Sequence, residues 1–164
     1  MYTNKTVTVL AVALLAVSAT AVRAQNNASI SATASVQQPI TVTAGNALAF
    51  GNVFPGIAAT VGVASANAGT FSVAGQGSAA VSMTFVLPTN LTSGGNNLPI
   101  GTWTGNWNTS NSPTGTSFTP SVSGSAATLS GTGALYVFVG ATVTPAVAQV
   151  AGSYSGTVSM TVIY

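Results

Sequence analysis

Ala80-Val81-Ser82-Met83-Thr84-Phe85-Val86-Leu87 is the stretch that settles the fold class. Val81, Met83, Phe85 and Leu87 recur at every second position, the period at which strand side chains return to one face. Thr84 and Val86 fall on the other face, so the strand is partly buried on both sides. Pro88 lacks the N–H a ladder needs and ends it.

The same pattern repeats outward in both directions. Towards the C-terminus, Leu135, Val137 and Val139 oppose Tyr136 and Phe138, which predicts a strand over 134–143 buried on both faces. The last twelve residues predict a strand over 153–164, with Tyr154, Gly156, Val158, Met160, Val162 and Tyr164 on one face. Towards the N-terminus, shorter strands are predicted over 70–74, 58–65, 47–50 and 40–43, separated by Gly, Asn and Pro turns. Residues 89–117 are rich in Asn, Thr, Ser and Gly and hold both tryptophans. There Gly101, Trp103, Gly105 and Trp107 alternate with Thr102, Thr104 and Asn106, which predicts a strand with both indoles on one face. Residues 108–115 read as a surface loop. Short strands over 118–122 and 126–129 complete the set. Many short strands, regular turns and no helical period predict an all-β antiparallel sandwich.

One alternation lies outside that set. In residues 28–36, Ala28, Ile30, Ala32, Ala34 and Val36 point one way and Ser29, Ser31, Thr33 and Ser35 the other. At ~3.3 Å per residue this strand spans roughly 30 Å. It stands where most domains carry a frayed tail, so it needs a groove to fill, in its own domain or a neighbour's. Gln37-Gln38-Pro39 is the break between it and the domain proper.

Residues 1–24 have the form of an export signal. Lys5 precedes an apolar core over 7–17, too short to span a bilayer, and Val22-Arg23-Ala24 is a small-residue cleavage site. The formal net charge of +2 comes from Lys5 and Arg23 alone, so residues 25–164 contain no Lys, Arg, Asp, Glu, His or Cys. No group there titrates near neutral pH to act as acid or base, and no base can activate a Ser or Thr nucleophile. Imidazole, thiolate and carboxylate metal ligands are missing, as are cations for nucleic-acid phosphate. The expectation is a non-enzymatic protein without cofactor or metal, with no nucleic-acid partner and no stable membrane insertion. A surface without net charge has no self-repulsion and favours association.

Gln38-Pro39-Ile40-Thr41-Val42, Leu48-Ala49-Phe50-Gly51-Asn52-Val53-Phe54-Pro55-Gly56, Thr70-Phe71-Ser72-Val73-Ala74-Gly75 and Gly152-Ser153-Tyr154-Ser155-Gly156-Thr157-Val158, running on to Tyr164, resemble in their order the bacterial family called domain of unknown function 4402. The closing Gly-x-Tyr-x-Gly strand is similar to the last strand of fimbrial subunits and spore-coat-U-like proteins. The resemblance implies an exported immunoglobulin-like, pilin-like sandwich, 39–164, preceded by an N-terminal donor-strand extension, 25–38. It implies a homopolymer on the cell surface, reached through the periplasm with a periplasmic chaperone or outer-membrane assembly protein as partner. In that reading one copy's Ala28, Ile30, Ala32, Ala34 and Val36 enter a neighbour's groove, edged by Tyr154, Val158, Met160, Val162 and Tyr164. Unlike disulfide-bearing pilins, this chain has no cysteine.

Three other readings stand beside this one. Residues 28–36 could close their own sandwich, giving a monomeric surface-binding module. Trp103 and Trp107 would then be a carbohydrate platform, or else core packing or a subunit contact. An aromatic C-terminal residue also suits an outer-membrane barrel, but most strands are short and aromatic girdles are lacking. Asn27-Ala28-Ser29, Asn90-Leu91-Thr92 and Asn108-Thr109-Ser110 match the glycosylation pattern, a match that arises easily in so Ser-, Thr- and Asn-rich a chain.

Overall fold

A computed structural model describes residues 26–164; residues 1–24, which the sequence predicts to be an export signal, lie outside the described residues. The chain divides at Ser35 and Val36 into two units, and all ten strands belong to Val36–Tyr164. Its ten strands are β1 (Thr41–Ala44), β2 (Ala59–Val61), β3 (Gly69–Ala74), β4 (Ala80–Val86), β5 (Asn90–Ser93), β6 (Asn96–Asn108), β7 (Thr116–Phe118), β8 (Ser125–Thr128), β9 (Ala134–Val143) and β10 (Ser159–Ile163). No helix occurs among the described residues. Every pair is antiparallel, and the strands form two sheets. The larger runs β1-β3-β9-β6-β5, with β2 also on β9 and β7 on β6; the smaller runs β10-β4-β8.

The two sheets meet in one core. Val73, Leu135, Val137 and Val139 come from the larger sheet, and Val81, Met83, Phe85, Ala127 and Val162 from the smaller. Each large side chain buried there contributes about 1.5–3 kcal/mol. The strict alternation of β4 and β9 is therefore the inner face of each sheet showing through the sequence.

β6 reaches further than the sequence predicts. Its ladder with β9 slips between Gly101 and Thr104, and Thr102 has φ +49°. A bulge adds one residue to one strand and so switches which parity faces inward. Before the slip Leu98 and Ile100 are buried; after it Trp103 and Trp107 pack on the core. Upstream, Gly94 and Gly95 both have positive φ, 52° and 87°, and pair Ser93 with Asn96 across a two-residue turn. Two left-handed central residues are the geometry of a tight hairpin, and Gly-Gly supplies it. This makes 90–108 a hairpin, of which the sequence predicts only the strand carrying Gly101 to Trp107.

Leu98, Ile100, Ala141 and Val143 form a second cluster, all from the larger sheet. No strand of the smaller sheet covers them. Leu48, Phe50, Val53 and Tyr154, from segments outside any strand, pack there instead.

Several predicted strands are corrected by the ladder. Residues 28–36 and 47–50 carry no strand. The predicted strand over 153–164 is a ladder only at Ser159–Ile163, with an isolated bridge at Ser155. That over 58–65 shortens to Ala59–Val61. Alternation reports which way side chains would point; a strand also needs a continuous backbone ladder, and outside Ala59–Val61 and Ser159–Ile163 these segments make at most isolated backbone bonds.

Candidate functional site

The second cluster floors an open groove of about 970 Å³. Leu48, Phe50, Leu91, Leu98, Ile100 and Val143 give it an apolar lining. One wall is the segment 44–54, the other the segment 152–158. Its volume is at the upper end for small-ligand clefts, roughly 300–1,000 Å³, and its walls are backbone-rich.

Both walls are tied down. On the first, Gly45 N–H donates to Thr70 O at 2.8 Å and Asn46 N–H to Thr70 Oγ1 at 2.7 Å. Ala49 N–H reaches Asn67 O at 3.0 Å. On the second, Thr92 and Ser155 exchange backbone bonds of 2.8 and 3.1 Å. Tyr154 Oη donates to Val150 O at 2.7 Å and accepts from Gln149 Nε2 at 2.7 Å; the same Nε2 donates to Asn97 O at 3.1 Å. Such a site is shaped before anything enters it, which lowers the ordering cost of binding.

β1 and β10 are the ends of their sheet orders, each with one ladder neighbour among the described residues. An edge strand leaves half its N–H and C=O groups free to take another strand. At their far end stands a polar clamp. Gln38 N–H donates to Gln76 Oε1 at 3.3 Å, Gln76 N–H to Tyr164 Oη at 2.7 Å, and Tyr164 Oη to Gln38 O. β1 runs from this clamp to the groove wall at Ala44, and β10 runs from the groove wall at Val158 back to the clamp. Clamp and groove therefore lie at opposite ends of the two edge strands, about 20 Å apart at ~3.3 Å per residue.

The predicted site residues divide accordingly. Tyr154 and Val158 line the groove. Met160 and Val162 pack on the main core instead, and Tyr164 belongs to the clamp. Ala28, Ile30, Ala32, Ala34 and Val36 are exposed, Ile30 at 95% and Val36 at 96%. Trp103 packs on both clusters and Trp107 on the larger; neither lines the groove. Leu48, Phe50, Leu91, Leu98 and Ile100 are the groove residues that sequence reasoning missed. Leu48 and Phe50 carried a signal, an alternating pair beside Pro and Gly turns, but it predicted a strand rather than a wall.

The groove's lining, apolar side chains beside backbone-rich walls and the Tyr154 phenol, offers dispersion contacts and hydrogen bonds. No curated protein and no solved structure matches the chain. A family described as domain of unknown function (DUF4402) matches residues 40–164, from just after the clamp residue Gln38 through both edge strands to the last residue, and the chain belongs to that family.

Proposed function

We propose that this chain is the structural, non-enzymatic subunit of an extracellular filament, an immunoglobulin-like, pilin-like sandwich that polymerises by strand donation. Residues 28–36 of one copy enter the groove of the next. The observation that carries the reading is the separation of groove and clamp. The donor segment begins beyond Gln38, at one end of the edge strands, and the groove opens at the other. Copies related head to tail bring one arm to the next groove, and such contacts repeat into a fibre rather than closing.

The chain direction sets the pairing. The arm stays attached to its own copy at its C-terminal side, so that side lies at the groove mouth and Ala28 lies deepest. It then runs antiparallel to β10 and lengthens the three-stranded sheet. Ile30 and Val36 contribute about 1.5–3 kcal/mol each on burial, and each ladder bond about 0.5–1.5 kcal/mol. An unfilled apolar groove beside two free edges is an aggregation hazard, which supports escort through the periplasm by a chaperone or an outer-membrane assembly protein.

Negative-stain electron microscopy of the mature chain beside a variant lacking residues 25–36, with Gln38 kept, tests this. Filaments from the full chain and none from the shortened one are expected. Folded, dispersed particles from the full chain would overturn the proposal.

A further inference from the structure

We infer that the outer face of the larger sheet carries a binding site for a neutral saccharide, independent of strand donation. A second hollow, about 340 Å³, lies there between Asn46, Thr70, Ser72, Asn111, Tyr136 and Phe138. Its volume suits one or two sugar rings, at the small end of the ligand-site range of about 300–1,000 Å³.

The register explains how these residues meet. Thr70 pairs with Phe138 and Ser72 with Tyr136 across β3 and β9, and Tyr136 pairs with Asn108 across β9 and β6. In β9, Leu135, Val137 and Val139 face the main core, so Tyr136 and Phe138 lie on the opposite face and line the hollow, Tyr136 half-buried at its surface and Phe138 buried beneath. The Gly45-Asn46 turn borders it on one side and the loop 108–115 on the other.

That loop is held in shape from within. Asn106, buried although polar, accepts from Gly115 N–H at 2.8 Å. Ser110 N–H donates to Asn108 Oδ1 at 3.0 Å, and the Ser112 and Thr114 hydroxyls bond at 2.8 Å. Asn111 is thus presented at the hollow by a braced loop, a preorganised arrangement.

The chemistry selects the ligand class. Thr70 Oγ1 is engaged by Asn46 N–H. The side chains of Asn46, Asn111, Ser72 and Tyr136 make no hydrogen bond to other described residues and are free to take a ligand's. Two amides, each donor and acceptor, and two hydroxyls match the alternating donors and acceptors of a sugar edge. The aromatic lining matches the apolar C–H face of a sugar ring. With no charge near it, the hollow has nothing to pair with a phosphate, a carboxylate or a cation.

The test uses the full mature chain. Saturation-transfer and amide-shift NMR are recorded with neutral trisaccharides of glucose, galactose, mannose and N-acetylglucosamine. At least one should bind, with shifts centred on Asn111, Ser72 and Tyr136. Tyr136→Ala and the exposed-loop change Asn111→Ala should each weaken it about tenfold, equivalent to ~1.4 kcal/mol. Asn111→Ala leaves the sheet untouched, so the test survives if Tyr136→Ala misfolds. No binding across the panel, shifts mapping elsewhere, or undiminished affinity in Asn111→Ala would overturn the site.

Discussion

Tyr164, the last residue, shows how much one hydroxyl can organise. It accepts from Gln76 N–H and donates to Gln38 O, joining the end of the chain to the root of its N-terminal arm. Gln76 also holds Gln38 through its side chain, so three residues fix where the arm leaves the compact unit. Tyr164→Phe keeps the ring and removes both hydroxyl bonds. Because Tyr164 is half exposed, water replaces part of what is lost, and the expected cost is about 0.5–1.5 kcal/mol in urea unfolding. Filaments should still form, since the groove and the donor residues are unchanged, but with a wider spread of subunit angles in electron micrographs. An unchanged midpoint and unchanged angles would show that the clamp orients nothing.

At the scale of elements, β6 and β10 separate what periodicity can reveal from what it cannot. The inner faces of β4 and β9 stand in the sequence as uninterrupted alternation, and the structure keeps them: Val81, Met83 and Phe85 are buried, as are Leu135, Val137 and Val139. In β6 the bulge hides the pattern, because Leu98 and Ile100 are even-numbered and Trp103 and Trp107 odd. Only the Gly94-Gly95 pair marked the hairpin. At 153–164 the alternation is clean, yet the ladder holds only Ser159–Ile163, because β4 ends at Val86, the partner of Ser159, and Pro88 follows. The groove was hidden for the same reason, since it exists where a sheet lacks a partner layer and no single residue records that. The hairpin predicts its own test. Gly95 has φ +87°, a conformation that a β-branched side chain adopts only under strain. Gly95→Val should cost about 1–3 kcal/mol in denaturant unfolding and should loosen the groove floor through Leu91 and Leu98. A change below ~0.5 kcal/mol would mean that the turn does not need left-handed residues.

For the whole molecule, the account rests on one geometric fact: the groove and the arm's root sit at opposite ends of the same two edge strands. Residues 25–164 have no ionisable side chain other than tyrosine, so strand donation between copies of this segment would rest on shape, apolar burial and backbone pairing rather than on charge. The family match begins at Ile40, leaving the arm outside it, while the strands that would receive an arm lie within. The most direct measurement uses the absence of cysteine. One copy carries Ile30→Cys and another Val158→Cys, and the two are mixed under assembly conditions with a short bismaleimide. The account predicts a covalent dimer containing one of each copy, formed only in the mixture. No crosslink between copies, with a single-chain crosslink when both changes are placed in one chain, would contradict it.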